Sequence, residues 1–259
     1  MLTLSNVKKS FSMQSDRGKR VKVNAVDGVS FSFEPGACRG LVGESGSGKS
    51  TLSRMILGFE RPDEGEITFL GRNIYSASKR HMKEIRKNIQ MVFQDSMGSL
   101  NPKMRVYDSI AEPVRNFDRL SYREERKRVD YLLERVGLSP EDGRRYPYQF
   151  SGGQLKRICI ARAIAVRPKF IVFDEAVSGL DATVKKKVLD LLLEILKETG
   201  SGYLFITHDM DVALYISCGI SVMKDGKIIE TVDGITSFDD FKHPYSKMLI
   251  QSLPPLYPN

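Results

Sequence analysis

Nine consecutive residues, Gly43, Glu44, Ser45, Gly46, Ser47, Gly48, Lys49, Ser50 and Thr51, satisfy the pattern G-x-x-x-x-G-K-[ST] at every fixed position. The chemistry open to such a stretch is the binding of a phosphate chain. Its glycines admit backbone conformations closed to other residues, so successive N–H groups can turn toward phosphate oxygens. A helix starting behind the loop adds a positive dipole end. Lys49 can then reach the β- and γ-phosphates, and the Ser50 hydroxyl can ligate Mg²⁺. Two carboxylates, Asp174 and Glu175, follow the run F-I-V-F. At the end of a strand, Asp174 suits Mg²⁺ and Glu175 suits a general base acting on water. A third group, Ser151-Gly152-Gly153-Gln154, opens a helical pattern with a hydroxyl and bare backbone N–H groups. It is a second anion-binding device in the same chain.

These residues need elements to hold them. Residues 37–42 read as a short buried strand and residues 52–57 as a helix stopped by Gly58, so the phosphate loop has the strand-loop-helix setting it requires. Residues 2–7 read as an opening strand, residues 12–22 as a polar loop with Phe11 at their junction, and residues 23–33 as strand again. Asp27-Gly28 and Pro35-Gly36 are the expected turns, and residues 67–70 form another strand before Gly71. The first third is thus strand-rich with one helix.

Residues 101–166 change character. Ser121 and Glu124 form a capping box, Val129, Leu132, Leu133 and Val136 recur at helical spacing, and Gly137 closes the segment. A further helix is expected over 154–166, stopped by Pro168. Strand and helix then alternate: residues 170–173, a helical stripe from Val184 to Ile195 ended by Gly200, strands at 203–207 and 220–223, and the Asp225-Gly226 turn.

With phosphate loop, acidic pair and S-G-G-Q in this order, the chain resembles the ATP-binding cassette (ABC) family. The resemblance covers nearly the whole sequence and implies further roles. Gln94, in M-V-F-Q-D, matches the glutamine that touches Mg²⁺ or the water and senses a transmembrane partner. Asp181, in S-G-L-D, matches the family's D-loop, and His208, in I-T-H-D, its switch histidine near the γ-phosphate. Phe11 stands where an aromatic ring stacks on adenine. Ala176, Gly179 and Phe11 each replace a commoner family residue, yet none removes a reacting group.

The implied fold is α/β: a P-loop NTPase with a RecA-like parallel-sheet core, an N-terminal antiparallel β subdomain and an inserted helical subdomain. The chain would be one nucleotide-binding domain, with residues 1–90 and 167–259 as core, about 91–166 as the Q-loop and helical signature subdomain, and 240–259 as a short tail. The cofactors implied are ATP and Mg²⁺. Glu175 and His208 would be catalytic. Ser50, Gln94 and Asp174 would serve the metal. The phosphate loop of one cassette would face Ser151, Gly152, Gly153 and Gln154 of a second one.

Q-D-S-M-G-S-L-N-P at 94–102, His243-Pro244-Tyr245 and Leu253-Pro254 resemble the ATPases of peptide and nickel importers. D-E-A-V-S at 174–178, S-G-G-Q-L-K-R-I-C at 151–159 and the short ending near Leu253-Pro254, without clustered cysteines, are most similar to the second nickel-importer ATPase. Uptake of nickel or a nickel chelate is therefore the first expectation and dipeptide or oligopeptide uptake the alternative. The implied partners are a second ATPase subunit, two transmembrane permeases and an extracytoplasmic binding protein. A soluble cassette such as an iron–sulfur assembly factor shares the catalytic motifs and is a weaker alternative.

Composition narrows the classes. The net charge is +8, yet basic residues alternate with acids, as in Y-R-E-E-R-K-R-V at 122–129, which marks a solvated helix face rather than a nucleic-acid track. Cys38, Cys159 and Cys218 lack paired spacing and read as ordinary core residues of a reducing compartment. Histidines occur at 81, 208 and 243 and form no ligand cluster, so the chain should not bind a transported metal itself. No basic-then-apolar leader and no run of eighteen apolar residues is present, so the chain is expected to be neither exported nor membrane-spanning; the family resemblance implies the cytoplasmic face of the membrane, peripherally bound.

Overall fold

The computed structural model describes residues 1–14 and 20–251. Along the chain these form β1 (Leu2–Gln14), β2 (Arg20–Phe33), β3 (Cys38–Val42), α1 (Lys49–Ile56), β4 (Glu64–Phe69) and β5 (Arg72–Asn73). Then come α2 (Lys79–Asn88), β6 (Ile89–Val92), α3 (Val106–Phe117), α4 (Tyr122–Arg135), α5 (Gly152–Ile164), β7 (Phe170–Asp174) and α6 (Ala182–Thr199). The chain ends with β8 (Gly202–Ile206), α7 (Met210–Ile216), β9 (Gly219–Lys224), β10 (Lys227–Asp233) and α8 (Pro244–Gln251). Two compact units result, one from residues 1–77 and 204–259, the other from 78–203. Strands of an antiparallel β-sheet and of a mixed, largely parallel sheet alternate with helices along the chain, as the family resemblance implied.

In the first unit, β2, β1, β4 and β5 lie in that order as an antiparallel sheet. Its long arm corrects the polar loop expected over 12–22. β1 runs on to Gln14 and β2 starts at Arg20, with Phe11 opposite Val23 and Ser12 opposite Lys22. The start of β2 is exposed, so its Lys and Arg side chains face water while the backbone pairs, and composition alone mimics a loop. Residues 15–19 lie outside the described part. Asp27-Gly28 makes no turn either. β2 passes through it with a register shift against β1, and Gly28 takes the left-handed φ of 72° that such a shift needs.

The same unit holds strands β10, β9, β3 and β8 in that order. β3 and β9 pair in parallel and are almost wholly buried, which explains their near-continuous apolar sequence. Asp225 and Gly226, both at positive φ, close the β9–β10 hairpin as expected. Val42, Met210, Ala213, Ile220, Val222, Phe241 and Tyr245 form one apolar cluster on this sheet. A register shift in β10 precedes Glu230, whose Oε1 accepts the N–H groups of Lys242 at 2.6 Å and His243 at 3.0 Å. His243 Nδ1 accepts the Tyr245 N–H at 3.1 Å. His243-Pro244-Tyr245 is thus a fastened helix start. Leu253-Pro254 lies outside the described residues.

In the second unit β6 and β7 pair in parallel, with Ile89 opposite Phe170. α4 has the expected capping box and ends at Arg135, capped by Val136, with Gly137 at φ 70°. α2 and α3 were not legible as helices. α2 buries only Ile85 and is held at its start by the Ser78 hydroxyl, too little apolar content for a periodic stripe. α3 contains Pro113 and has no side-chain cap. α3 is bound to α4 by Glu125, which is buried and accepts two bonds from Arg115, at 2.7 and 2.9 Å, and one from the Tyr107 hydroxyl at 3.0 Å.

Cys38 and Cys159 are buried, but Cys218 is exposed, which corrects the reading of all three as core residues. It follows Ile216 and Ser217 at the mouth of β9, where the side chain faces out and its Sγ lies 3.1 Å from the Cys38 carbonyl. Among the described residues no helix is long and apolar enough to cross a membrane.

Candidate functional site

The phosphate loop in the first unit is shaped by close backbone contacts. Gly43, at φ 154°, leaves β3 so near the neighbouring strand that a Cβ there would lie 2.2 Å from the Met223 carbonyl oxygen. Gly48, at φ 108°, caps α1 in the left-handed region, and a Cβ would lie 2.1 Å from the Ala25 carbonyl oxygen. Only glycine fits both positions. The loop is braced from behind: the Gly226 N–H donates to Ser47 O at 3.0 Å, and the Asp27 N–H to Gly226 O at 2.8 Å.

Lys49 is buried, and its Nζ donates to Gly43 O at 2.8 Å, Glu44 O at 2.7 Å and Ser47 Oγ at 3.1 Å. The ammonium thus lies inside the loop. α1 has neither a side-chain cap bond nor an acidic residue in its first turn. Its leading N–H groups keep their capacity for an anion. Ser50, Glu44, Ser45 and Gly46 are exposed, Thr51 half-buried.

His208 and Phe11 belong to the same unit. His208 is exposed just past β8, in a turn fixed by Thr207 N–H on Leu41 O and by Asp209, which caps α7 through the Val212 N–H at 3.1 Å. Phe11 sits in mid-strand, 38 % exposed, with Lys9 Nζ 5.5 Å from its ring centroid. The ring is partly open to solvent, while Lys9 is itself ion-paired with Glu60 and Asp63.

The second unit carries Gln94, Asp174, Glu175, Ser151, Gly152, Gly153, Gln154 and Asp181. β7 delivers Asp174 half-buried at its end, and Glu175 follows at φ 49°. That left-handed conformation costs a non-glycine residue on the order of 1–2 kcal/mol, so the surroundings must hold it. They do so from two sides. Gln94 Nε2 donates to Glu175 Oε2 at 2.7 Å. The Ser178 N–H and hydroxyl both donate to Glu175 O, at 3.1 and 2.8 Å.

Ser151 and Gln154 spend their side chains on a capping box at the start of α5. Asp181 caps α6, accepting the Val184 N–H at 3.0 Å. A Cβ on Gly153 would lie 3.3 Å from Leu180, so the S-G-G-Q turn and the segment before α6 pack together.

Three residues on α5 escaped motif matching. Lys156 Nζ donates to Ser178 O, to Ser178 Oγ at 3.1 Å and to Glu175 O at 3.4 Å. Burial lowers its pKa, against the opposing pull of the Glu175 carboxylate. Cys159 Sγ lies 3.4 Å from Ser99 Oγ, and Arg162 Nη1 donates to Ser99 O at 2.5 Å. Their spacing, i, i+3, i+6, was the available signal for one helix face.

Among the described residues no group of three or more His, Cys, Asp or Glu could hold a metal ion by itself.

The sequence profile of the ABC transporter family matches residues 26–178. The chain is 42% identical over 256 residues to the oligopeptide transport ATP-binding protein OppF of Lactococcus lactis subsp. lactis (strain IL1403), covering 98% of this chain and 80% of that one. It is 43% identical over 261 residues to the glutathione import ATP-binding protein GsiA of Escherichia coli (strain K12), covering 100% of this chain but only 42% of GsiA. Among solved structures, the dimeric post-hydrolysis state of the ATP-binding cassette MJ0796 bound to ADP and Pi superposes with a TM-score of 0.82. That match has 29% identity and covers 92% of this chain and 100% of the other.

Proposed function

Because the chain belongs to the ABC transporter family and is an ATPase of the importer type, we propose that it drives the uptake of short peptides through a membrane permease. The likeness to OppF over 98% of the chain carries this reading. GsiA, described as a glutathione importer, supports the same cargo class, a small peptide. Nickel, the first expectation from the short tail, has no counterpart among these relatives, so the peptide alternative is the better supported.

The residues take the following parts. Lys49 and the N–H groups from Gly43 to Thr51 bind the phosphate chain, with Lys49 exchanging its carbonyl partners for phosphate oxygens. Ser50 and Asp174 hold Mg²⁺, assisted by Gln94. When bound, the ion neutralises charge on the β- and γ-phosphates. Glu175 orients water and takes its proton, and His208 contacts the γ-phosphate. Phe11 offers its ring to adenine. Ser151, Gly152, Gly153, Gln154 and Asp181 serve the nucleotide held by a second cassette, so that the active form is a pair seated under two permeases at the cytoplasmic face, fed by a binding protein.

The test is Glu175→Gln, which keeps shape and hydrogen bonding but removes the base. MgATP binding should stay within about threefold of wild type, while steady phosphate release in the assembled transporter falls at least about a hundredfold, the range of a lost general base. Release at the wild-type rate would sink the assignment. Cargo is settled separately, by whether a peptide-loaded or a nickel-chelate-loaded binding protein stimulates phosphate release.

A further inference from the structure

From its three contacts on the turn that follows β7, we infer that Lys156 is a positioning residue for hydrolysis, holding the backbone that aims Glu175. This rests on Glu175 being the general base. Its argument starts from the conformation of Glu175 itself, a non-glycine residue at φ 49°. Such a residue persists only where its surroundings over-determine it. The Gln94 bond fixes the carboxylate end. The other end, the peptide, is gathered by Ser178 and Lys156.

An ammonium has three protons and no acceptor. Lys156 places them on Ser178 O, Ser178 Oγ and Glu175 O, closing residues 175–178 into a turn. Ser178 in turn donates twice to Glu175 O. Lys156 stands one helical turn past the Ser151–Gln154 box, so the helix that bears S-G-G-Q also fixes the base. Three and six residues further along, Cys159 and Arg162 hold Ser99, in the segment that follows Gln94. Both partners of the Gln94–Glu175 bond are therefore referred to α5. Lys156 touches no reacting atom, and its effect passes through Glu175.

The measurement is steady-state ATPase of the full chain in its assembled transporter, for wild type, Lys156→Met, Lys156→Arg and Glu175→Gln. Lys156→Met should lower kcat at least tenfold with the KM for ATP within twofold. Lys156→Arg, which restores a cation with several donors, should recover kcat to within threefold of wild type. A purely structural lysine would instead change KM and kcat together, or be indifferent to Arg against Met. Wild-type kcat in Lys156→Met, with Glu175→Gln inactive, overturns the inference and leaves the base intact. Activity in Glu175→Gln overturns both. Should Lys156→Met not fold, Ser178→Ala carries the test, since it removes the shared hydroxyl at a half-buried position. It should lower kcat at least threefold at unchanged KM, and an unaltered kcat counts against the inference.

Discussion

At the scale of single residues, Gly48 and Gly46 separate two demands that a phosphate loop places on its glycines. Both have positive φ, but a Cβ on Gly46 meets nothing within 4 Å, whereas on Gly48 it would strike the Ala25 carbonyl. Gly46→Ala should therefore cost about 1 kcal/mol, the backbone preference alone, and Gly48→Ala on the order of 3 kcal/mol or more, because backbone must move as well. Nucleotide titrations and thermal melts of the two variants check the order; equal losses would mean that the collision is relieved cheaply. The candidate reacting residues could be proposed from sequence because each motif names a residue type at a fixed offset. Lys156 could not, since its role depends on a carbonyl and a hydroxyl more than twenty residues away in the chain, and no pattern of types records that.

At the scale of elements, α3 and α4 meet through Glu125. The Arg115 guanidinium holds its carboxyl below the usual carboxylate range, against the cost of burial and with help from the Tyr107 hydroxyl. A depressed folded-state pKa means that the contribution is complete above the unfolded value, about 4.3, and is lost as pH falls through the lower folded value. Glu125→Gln should thus be less stable than wild type near pH 7, by on the order of 1–2 kcal/mol. The difference should shrink steadily below about pH 4. Urea unfolding across that range measures it, and a gap independent of pH would remove the charge from the explanation.

α4, α5 and α6 could be read ahead because caps and apolar stripes agreed. α2 could not, since it is almost all surface, and the polar arms of β1 and β2 imitate a loop because both faces meet water. The shift at Gly28 shows the same limit: Asp-Gly is a turn signal, and only the pairing with β1 turns it into an irregularity within a strand.

At the scale of the whole molecule, the alternation of strand-rich and helical regions was accessible from hydrophobic periodicity, and the family from the order of its motifs. The cargo was not, because the phosphate-binding and acidic motifs address the nucleotide and not what is carried. The proposed pairing of two cassettes has a direct check. Glu175→Gln, loaded with MgATP, should elute as a species of twice the mass, and the further change Ser151→Arg should return it to single mass without loss of the fold, since Ser151 is exposed at a helix start. Persistence of the larger species in the double variant would show that S-G-G-Q takes no part in pairing.

The fastening of Lys242 and His243 to Glu230 has a practical side. It places Phe241 and Tyr245 against Val42, the residue just before the phosphate loop. Trimming the chain before Phe241 would strip the apolar cover from the strand that carries the loop, so a shortened protein that melts early and binds nucleotide poorly would be reporting a lost lid on its core.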